Sequence, residues 1–282
     1  MLKLRDGIIE LFRKVATSIP PDVENRLKGA RDCEPENSSG REALDVIIEN
    51  VKKARILKRP VCQDTGVPVF RIRVPSGISR LEIAEIVVDA TRAATLKIPL
   101  RANAVDFLSD VNTGDNTGAG FPVMYFEESA EQSLVIDLML KGAGCENAGM
   151  TYRLPDAEIA AERDLEGVRR AVLDTVVRAQ GGGCPPYTLG VGLGAAKDQV
   201  AVLSKKQLFR KLGDENPVAQ LRALEERLLK DINELGIGPI GLGGKTTALG
   251  VKICANHRHP ASYFVDVSVA CWANRRGTLI WS

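Results

Sequence analysis

The chain has 282 residues, 44% of them hydrophobic, enough to bury a substantial core in one large domain or two small ones. Its 38 Lys and Arg against 36 Asp and Glu leave a formal charge of +2, which gives no bulk electrostatic argument for a nucleic acid or an anionic membrane as partner. No run of about 18 apolar residues is present, and Met1-Leu2-Lys3-Leu4-Arg5-Asp6 lacks the apolar centre of a signal peptide, so the expected compartment is the cytoplasm. Six cysteines, at 33, 62, 145, 184, 254 and 271, are scattered with no CxxC pair, which argues against the disulfide framework of a small secreted domain.

In chain order, residues 1–58 read as a helical N-terminal region ahead of an α/β region, 59–282, of the same domain. Ile8, Leu11, Phe12 and Val15 recur at helical spacing, as do Ala43, Val46, Ile47 and Val51, and residues 31–40 form a polar connector. Next comes Val61-Cys62-Gln63-Asp64-Thr65-Gly66, where a thiol, an amide, a carboxylate and a hydroxyl stand side by side between Pro60 and Pro68. The prolines stiffen such a loop, and Gly66 lets its backbone turn or approach a ligand. A strand is expected over 67–74. An amphipathic helix follows over 78–94, with Ser79 as N-cap and Glu82 at the capping-box position.

Leu100-Arg101-Ala102-Asn103-Ala104-Val105-Asp106 leads into the turn-rich Asn112-Thr113-Gly114-Asp115-Asn116-Thr117-Gly118. Arg101 is the strong anion ligand here, since its fork can take a carboxylate in bidentate fashion. Residues 123–126 and 134–140 read as strands of a hairpin or meander, the second ending in the glycine loop Lys141-Gly142-Ala143-Gly144-Cys145-Glu146-Asn147. A helix over 157–179, the turn Gly181-Gly182-Gly183-Cys184-Pro185-Pro186, a strand over 187–193 and helices over 195–212 and 218–235 continue the alternation. Gly241-Leu242-Gly243-Gly244-Lys245-Thr246-Thr247 suggests a phosphate-binding loop, but Pro239 stands where that motif needs glycine, and a helix precedes it where a strand should. A β-rich pattern over 248–255 and a last strand over 263–269 deliver Cys271. The expected fold class is α/β, with mixed β-sheets, flanking helices and the helical N-terminal region.

Cys62, Cys184 and Cys271 each lie at a strand–loop boundary among Gly, Pro or Trp. Three soft thiolates without a nearby fourth suit either an iron–sulfur cluster with one open iron or a zinc site completed by His or water. The bland alternative for each is a small core hydrophobe.

These segments, with Arg258-His259-Pro260-Ala261-Ser262-Tyr263, resemble in order the α subunit of two-subunit class I fumarate hydratases and L-tartrate dehydratases, from about residue 40 to the end. The resemblance implies a 4Fe-4S cluster held by Cys62, Cys184 and Cys271, with its fourth iron left for a small dicarboxylic acid. It implies that Asp64 handles the proton of the substrate hydroxyl, and that Gln63, Arg101, Gly142, Glu146, Asn147 and His259 contact the substrate. Cys145 departs from the small residue, often serine, expected there, and it is not counted as a ligand; Cys33 and Cys254 carry no assigned role. Further substrate-binding residues sit on a C-terminal domain in single-chain relatives, so a separate β subunit is implied, with the α chain paired inside an α2β2 assembly. Fumarate hydration to (S)-malate is the expected reaction. Dehydration of L-tartrate to oxaloacetate is the alternative, and a nucleotide-binding or scaffold subunit is the alternative of another class.

Overall fold

The computed structural model describes residues 2–282. In chain order it contains α1 (Leu2–Thr17), α2 (Pro21–Cys33), α3 (Ser39–Leu57), β1 (Val67–Pro75), α4 (Arg80–Lys97), β2 (Val123–Ser129), β3 (Leu134–Lys141), α5 (Ala143–Asn147) and β4 (Met150–Arg153). There follow α6 (Leu165–Ala179), β5 (Tyr187–Gly194), α7 (Lys197–Gln207), α8 (Ala219–Glu234), β6 (Ala248–Ala255), β7 (Phe264–Ala270) and β8 (Arg276–Trp281). Two compact units divide the chain: the first takes residues 1–20, 49–143 and 274–282, the second 21–48 and 144–273. Mixed sheets with flanking helices bear out the expected fold class.

The sheet of the first unit runs β2-β1-β3-β8. β1 is parallel to β2 and antiparallel to β3, which is in turn antiparallel to β8. Expecting residues 123–126 and 134–140 to pair as neighbours is therefore wrong, because β1 lies between them. Burial explains the order: every residue of β3 is buried, whereas β2 is half-buried apart from exposed Glu128 and ends in Glu127-Glu128-Ser129, as suits an edge. α1 and α4 supply the apolar cover, with Ile8, Phe12 and Val15 packed with Phe70, Val87 and Ala90. Phe12 meets Phe70 edge-on, ring centroids 5.7 Å apart. Ser79 caps α4 by accepting the Glu82 N–H, as its sequence predicts.

A buried carboxylate interrupts the apolar run of β3. Asp137 accepts from Arg71 Nε and Nη2 at 3.0 and 2.8 Å, from Arg73 Nη1 at 3.0 Å and from the Thr278 hydroxyl at 2.6 Å, joining β1, β3 and β8. Asp137→Ala is expected to destabilise the chain by about 2–4 kcal/mol, somewhat less than loss of a fully buried pair, because both guanidinia reach water. Urea unfolding should show this as a lower midpoint at unchanged slope.

The second unit is built on the sheet β4-β7-β5-β6, in which β5 is parallel to β6 and β7 antiparallel to both β4 and β5. Tyr187, Leu189 and Val191 of β5 share a core with Val168 and Val172 of α6 and Leu228 and Ile232 of α8. The opposite face of β5 carries α7 at unusually close range. A Cβ on Gly190 would lie 2.2 Å from the Ser204 carbonyl oxygen and one on Gly192 2.4 Å from that of Val200, so both positions require glycine.

Several element boundaries differ from the sequence expectation. α2 reaches Cys33 and α3 starts at Ser39, shortening the connector. The helix expected from residue 157 starts only at Leu165, because Asp156 and Ala161 exchange two 2.8 Å backbone bonds in a turn and Asp164 caps the helix through the Gly167 N–H. β4 and β8 escape the sequence reading. Each is short, and β8 alternates half-buried with exposed residues around Gly277.

Candidate active site

In the first unit the 60–66 loop enters β1 through Gly66, whose φ is +85°. A Cβ there would stand 2.9 Å from the Leu140 and Lys141 backbone, so glycine is required by both conformation and space. The tight approach aims Asp64: its Oδ1 accepts the Gly66 N–H at 2.9 Å and its Oδ2 the Ala143 N–H at 2.8 Å. A Cβ on Gly142 would come within 3.0 Å of that Oδ2, which accounts for glycine beside the carboxylate. Thr65 is buried, and its hydroxyl accepts the Arg101 N–H at 3.0 Å. Asn103 Nδ2 donates to the Gly66 carbonyl at 3.1 Å, and Asn116 Nδ2 to the Arg101 carbonyl at 2.8 Å. Arg101 thus has a fixed backbone and an exposed side chain, Gln63 is exposed, and Cys62 and Asp64 are half-buried. From β8's side, Arg275 Nη2 donates to the Asp64 carbonyl at 2.8 Å.

In the second unit Cys184 is exposed at φ +58°, and its carbonyl accepts the Trp272 N–H at 3.1 Å, tying the Cys184 turn to the half-buried Cys271. Cys145 is buried, with its Sγ 3.1 Å from the Gly183 carbonyl that accepts from it. Beneath this turn Tyr187 donates its hydroxyl to the Gln180 carbonyl at 2.6 Å and accepts the Gly183 N–H at 3.1 Å. Burial above all, with the thiols of Cys145, Cys184 and Cys271 adding to it, pushes the Tyr187 hydroxyl up to about 12. The unfolded chain releases this proton near pH 10, so this part of the stability is present below that pH and is lost as pH rises toward the folded-state value. Denaturant unfolding of the metal-free chain should therefore weaken across that window, and Tyr187→Phe should flatten the fall.

Glu146 and Asn147 end the short α5, exposed, with Glu146 paired to Lys205. His259 lies in an exposed turn where its Nδ1 accepts the Ala261 N–H at 3.1 Å, and its neighbour Arg258 stacks 4.8 Å from the Tyr263 ring centre. The glycine loop before β6 already holds an anion from the protein itself. Buried Glu34 accepts the N–H groups of Lys245 and Thr246 at 2.9 and 2.8 Å, and a Cβ on Gly244 would lie 2.8 Å from its Oε2. The amides that a phosphate would use are thereby occupied.

Of the residues singled out in the sequence, Cys62, Gln63, Asp64, Arg101 and Gly142 fall in the first unit, and Glu146, Asn147, Cys184, His259 and Cys271 in the second. Asp64, Gly142 and the Arg101 backbone are brought together within the first, Cys184 and the Cys271 turn within the second. Among the described residues, no group of three or more His, Cys, Asp or Glu side chains is arranged to hold a metal ion. The donors nonetheless fit an iron–sulfur group in kind: Cys62, Cys184 and Cys271 are loop thiols, Cys184 exposed and the other two half-buried, and none is joined in a disulfide. Sequence reasoning missed Thr65, Asn103, Asn116 and Arg275. Thr65 and Asn103 were within the motifs already noted, while Arg275 carried only its position soon after Cys271.

A family model described as fumarate hydratase (Fumerase) matches residues 5–280. A putative class I fumarate hydratase of Geobacillus stearothermophilus is 43% identical over 98% of this chain and 54% of its own length, so the chain spans little more than half of that relative. The putative L(+)-tartrate dehydratase subunit alpha of Methanocaldococcus jannaschii is 38% identical over 98% of this chain and 96% of its own. The L(+)-tartrate dehydratase subunit alpha of Escherichia coli (strain K12) is 37% identical over 99% and 90%. With nearly its whole length matched in this way, the chain belongs to the fumarate hydratase (Fumerase) family.

Proposed function

We propose that this chain is the α subunit of a hydro-lyase that reversibly adds water to a small unsaturated dicarboxylate, fumarate to (S)-malate, together with a separate β subunit. The observation that carries the reading is the Asp64 loop, in which a carboxylate aimed by two backbone N–H groups stands two residues from Cys62 and is stitched to the root of Arg101. Cys62, Cys184 and Cys271 are the residues that would hold a 4Fe-4S cluster. When bound, such a cluster supplies a Lewis acid at its open iron, which makes hydroxide a feasible leaving group without net redox chemistry.

The remaining work falls to side chains. Each oxygen of Asp64 accepts one backbone N–H, and each retains a second lone pair with which to take the proton of the attacking water and return it in the reverse direction. Arg101 presents an exposed guanidinium from a pinned backbone, suited to a bidentate grip on the distal carboxylate. Gln63 offers its amide to the substrate, and Gly142 keeps the space beside Asp64 open. His259 accepts the Ala261 N–H on Nδ1, which leaves Nε2 as the ring nitrogen that can donate to the substrate. Glu146 and Asn147 line the same glycine loop.

Fumarate is favoured by the name of the 43% relative. Dehydration of L-tartrate is the second reading, favoured by the two tartrate dehydratase α subunits, which this chain covers over 96% and 90% of their length. An α–α pair within an α2β2 assembly follows from the two-subunit reading. Among the described residues no helix is long and apolar enough to cross a membrane, and cysteines without disulfides suit the reducing cytoplasm we assign it to.

The test is anaerobic reconstitution with iron and sulfide, followed by assay with fumarate and with L-tartrate, alone and with a β partner. About four irons per chain, visible thiolate–iron absorption and turnover that requires the partner are expected. An iron-free or zinc-loaded colourless protein without turnover overturns the reading, and strong turnover by the chain alone overturns its two-subunit part.

A further inference from the structure

The turn that follows Arg101 carries an apolar tip into solvent. Phe107 is 98% and Leu108 94% exposed, the highest values for large apolar side chains among the described residues, and exposed Val105 and Val111 flank them. The tip is well fastened. Val105 bridges Asn112, the Asp106 N–H donates to the Val111 carbonyl, and the Asp110 N–H donates to the Asp106 carbonyl, the last two at 2.9 Å. Asp106 Oδ1 accepts the Leu108 and Ser109 N–H groups at 3.2 and 2.9 Å and the Ser109 hydroxyl at 2.7 Å. These bonds fix the turn with Phe107 and Leu108 outward. An ordered apolar patch facing water marks a surface that another chain covers, and its rigidity lowers the ordering cost of binding.

Position says which chain. Asn112 Nδ2 donates to the Ala102 carbonyl at 2.8 Å and the Thr113 N–H to the Ala104 carbonyl at 2.9 Å, so the tip is rooted beside Arg101. Phe107 lies five positions past Ala102 and so stands within about 18 Å of it. A stable interface covers about 800 Å² on each partner, a disc of roughly 16 Å radius. A subunit that meets the substrate at Arg101 therefore extends to the tip. Charge adds to the description of that partner, because the exposed carboxylates of Asp106 and Asp110 border the apolar pair.

We propose that the Phe107-Leu108 tip is the docking anchor for the β subunit, seated in an apolar pocket whose basic rim answers Asp106 and Asp110. The inference rests on the two-subunit reading above.

The experiment titrates the iron-loaded parent chain and its Phe107→Ser, Leu108→Ser, Asp110→Asn and Leu81→Ser variants with the β subunit that supports turnover of the parent. Calorimetry reads the Kd, and turnover at rising β concentration reads kcat. Phe107→Ser and Leu108→Ser should each weaken β binding roughly 10- to 100-fold, with the melting temperature of the free chain unchanged and parental kcat once β saturates. Asp110→Asn should weaken it less, by a factor that shrinks as salt rises; no such change overturns the basic rim. Leu81, on α4, is also exposed, and Leu81→Ser should bind as the parent does. Parental affinity in both Phe107→Ser and Leu108→Ser overturns the role of the tip and leaves the two-subunit reading intact, whereas a parent chain that no β subunit activates overturns both. A parent dimer that dissociates in Phe107→Ser, with β affinity unchanged, would assign the tip to a second copy of this chain and overturn the proposal.

Discussion

Asp64→Asn is expected to lower kcat of the assembled, iron-loaded enzyme roughly 10²- to 10⁴-fold, the span of a general acid/base, while iron content stays at the parent level. Asparagine has nearly the same shape, but one of its two terminal atoms is a donor. In this chain both positions face backbone N–H groups, of Gly66 and of Ala143. The amide can satisfy one and must oppose the other, so a modest destabilisation of about 1–3 kcal/mol accompanies the kinetic loss. The two effects separate on measurement, since a stability deficit moves the melting temperature and leaves kcat of the folded fraction unchanged. Gly142→Ala provides a graded companion. Its Cβ, 3.0 Å from Asp64 Oδ2, displaces the carboxylate without removing it, and it should fall between parent and Asp64→Asn. An Asp64→Asn enzyme with parental kcat would remove Asp64 from the chemistry.

Cys62→Ala, Cys184→Ala and Cys271→Ala are each expected to abolish iron retention after reconstitution, and with it hydro-lyase activity, while Cys145→Ala keeps both. The distinction comes from local surroundings. Cys62 and Cys271 are half-buried and Cys184 is exposed, whereas Cys145 is 4% exposed, with its Sγ directed to the Gly183 carbonyl. A buried thiol behaves as a small hydrophobe, so Cys145→Ala should cost packing and little else. Iron lost in Cys145→Ala but kept in one of the other three would redraw the ligand set.

Local chemistry in the sequence made much of this legible. Ser79 and Glu82 marked the start of α4, and alternation marked β1. Crowding of a thiol, an amide, a carboxylate and a hydroxyl at 62–65 marked the loop on which the function is proposed to rest. Glycine positions were visible as well, yet their reasons were not: Gly190 and Gly192 are required by the backbone of α7, and Gly142 leaves the carboxylate of Asp64 undisplaced.

What the sequence by itself determined was the type and approximate extent of the strongly periodic elements and the residue types available to a site, because propensity, capping and alternation act between residues a few positions apart. Only the tertiary structure decided the order β2-β1-β3-β8, which follows from how deeply each strand is buried. It likewise decided that Glu34 fills the glycine loop at Lys245 and that Arg275 holds Asp64, each pair separated by 211 positions. Hydrogen bonds across such separations have no local signature, since the chain must close a long loop, and assemble the sheets and helices that carry both ends, before either partner meets the other.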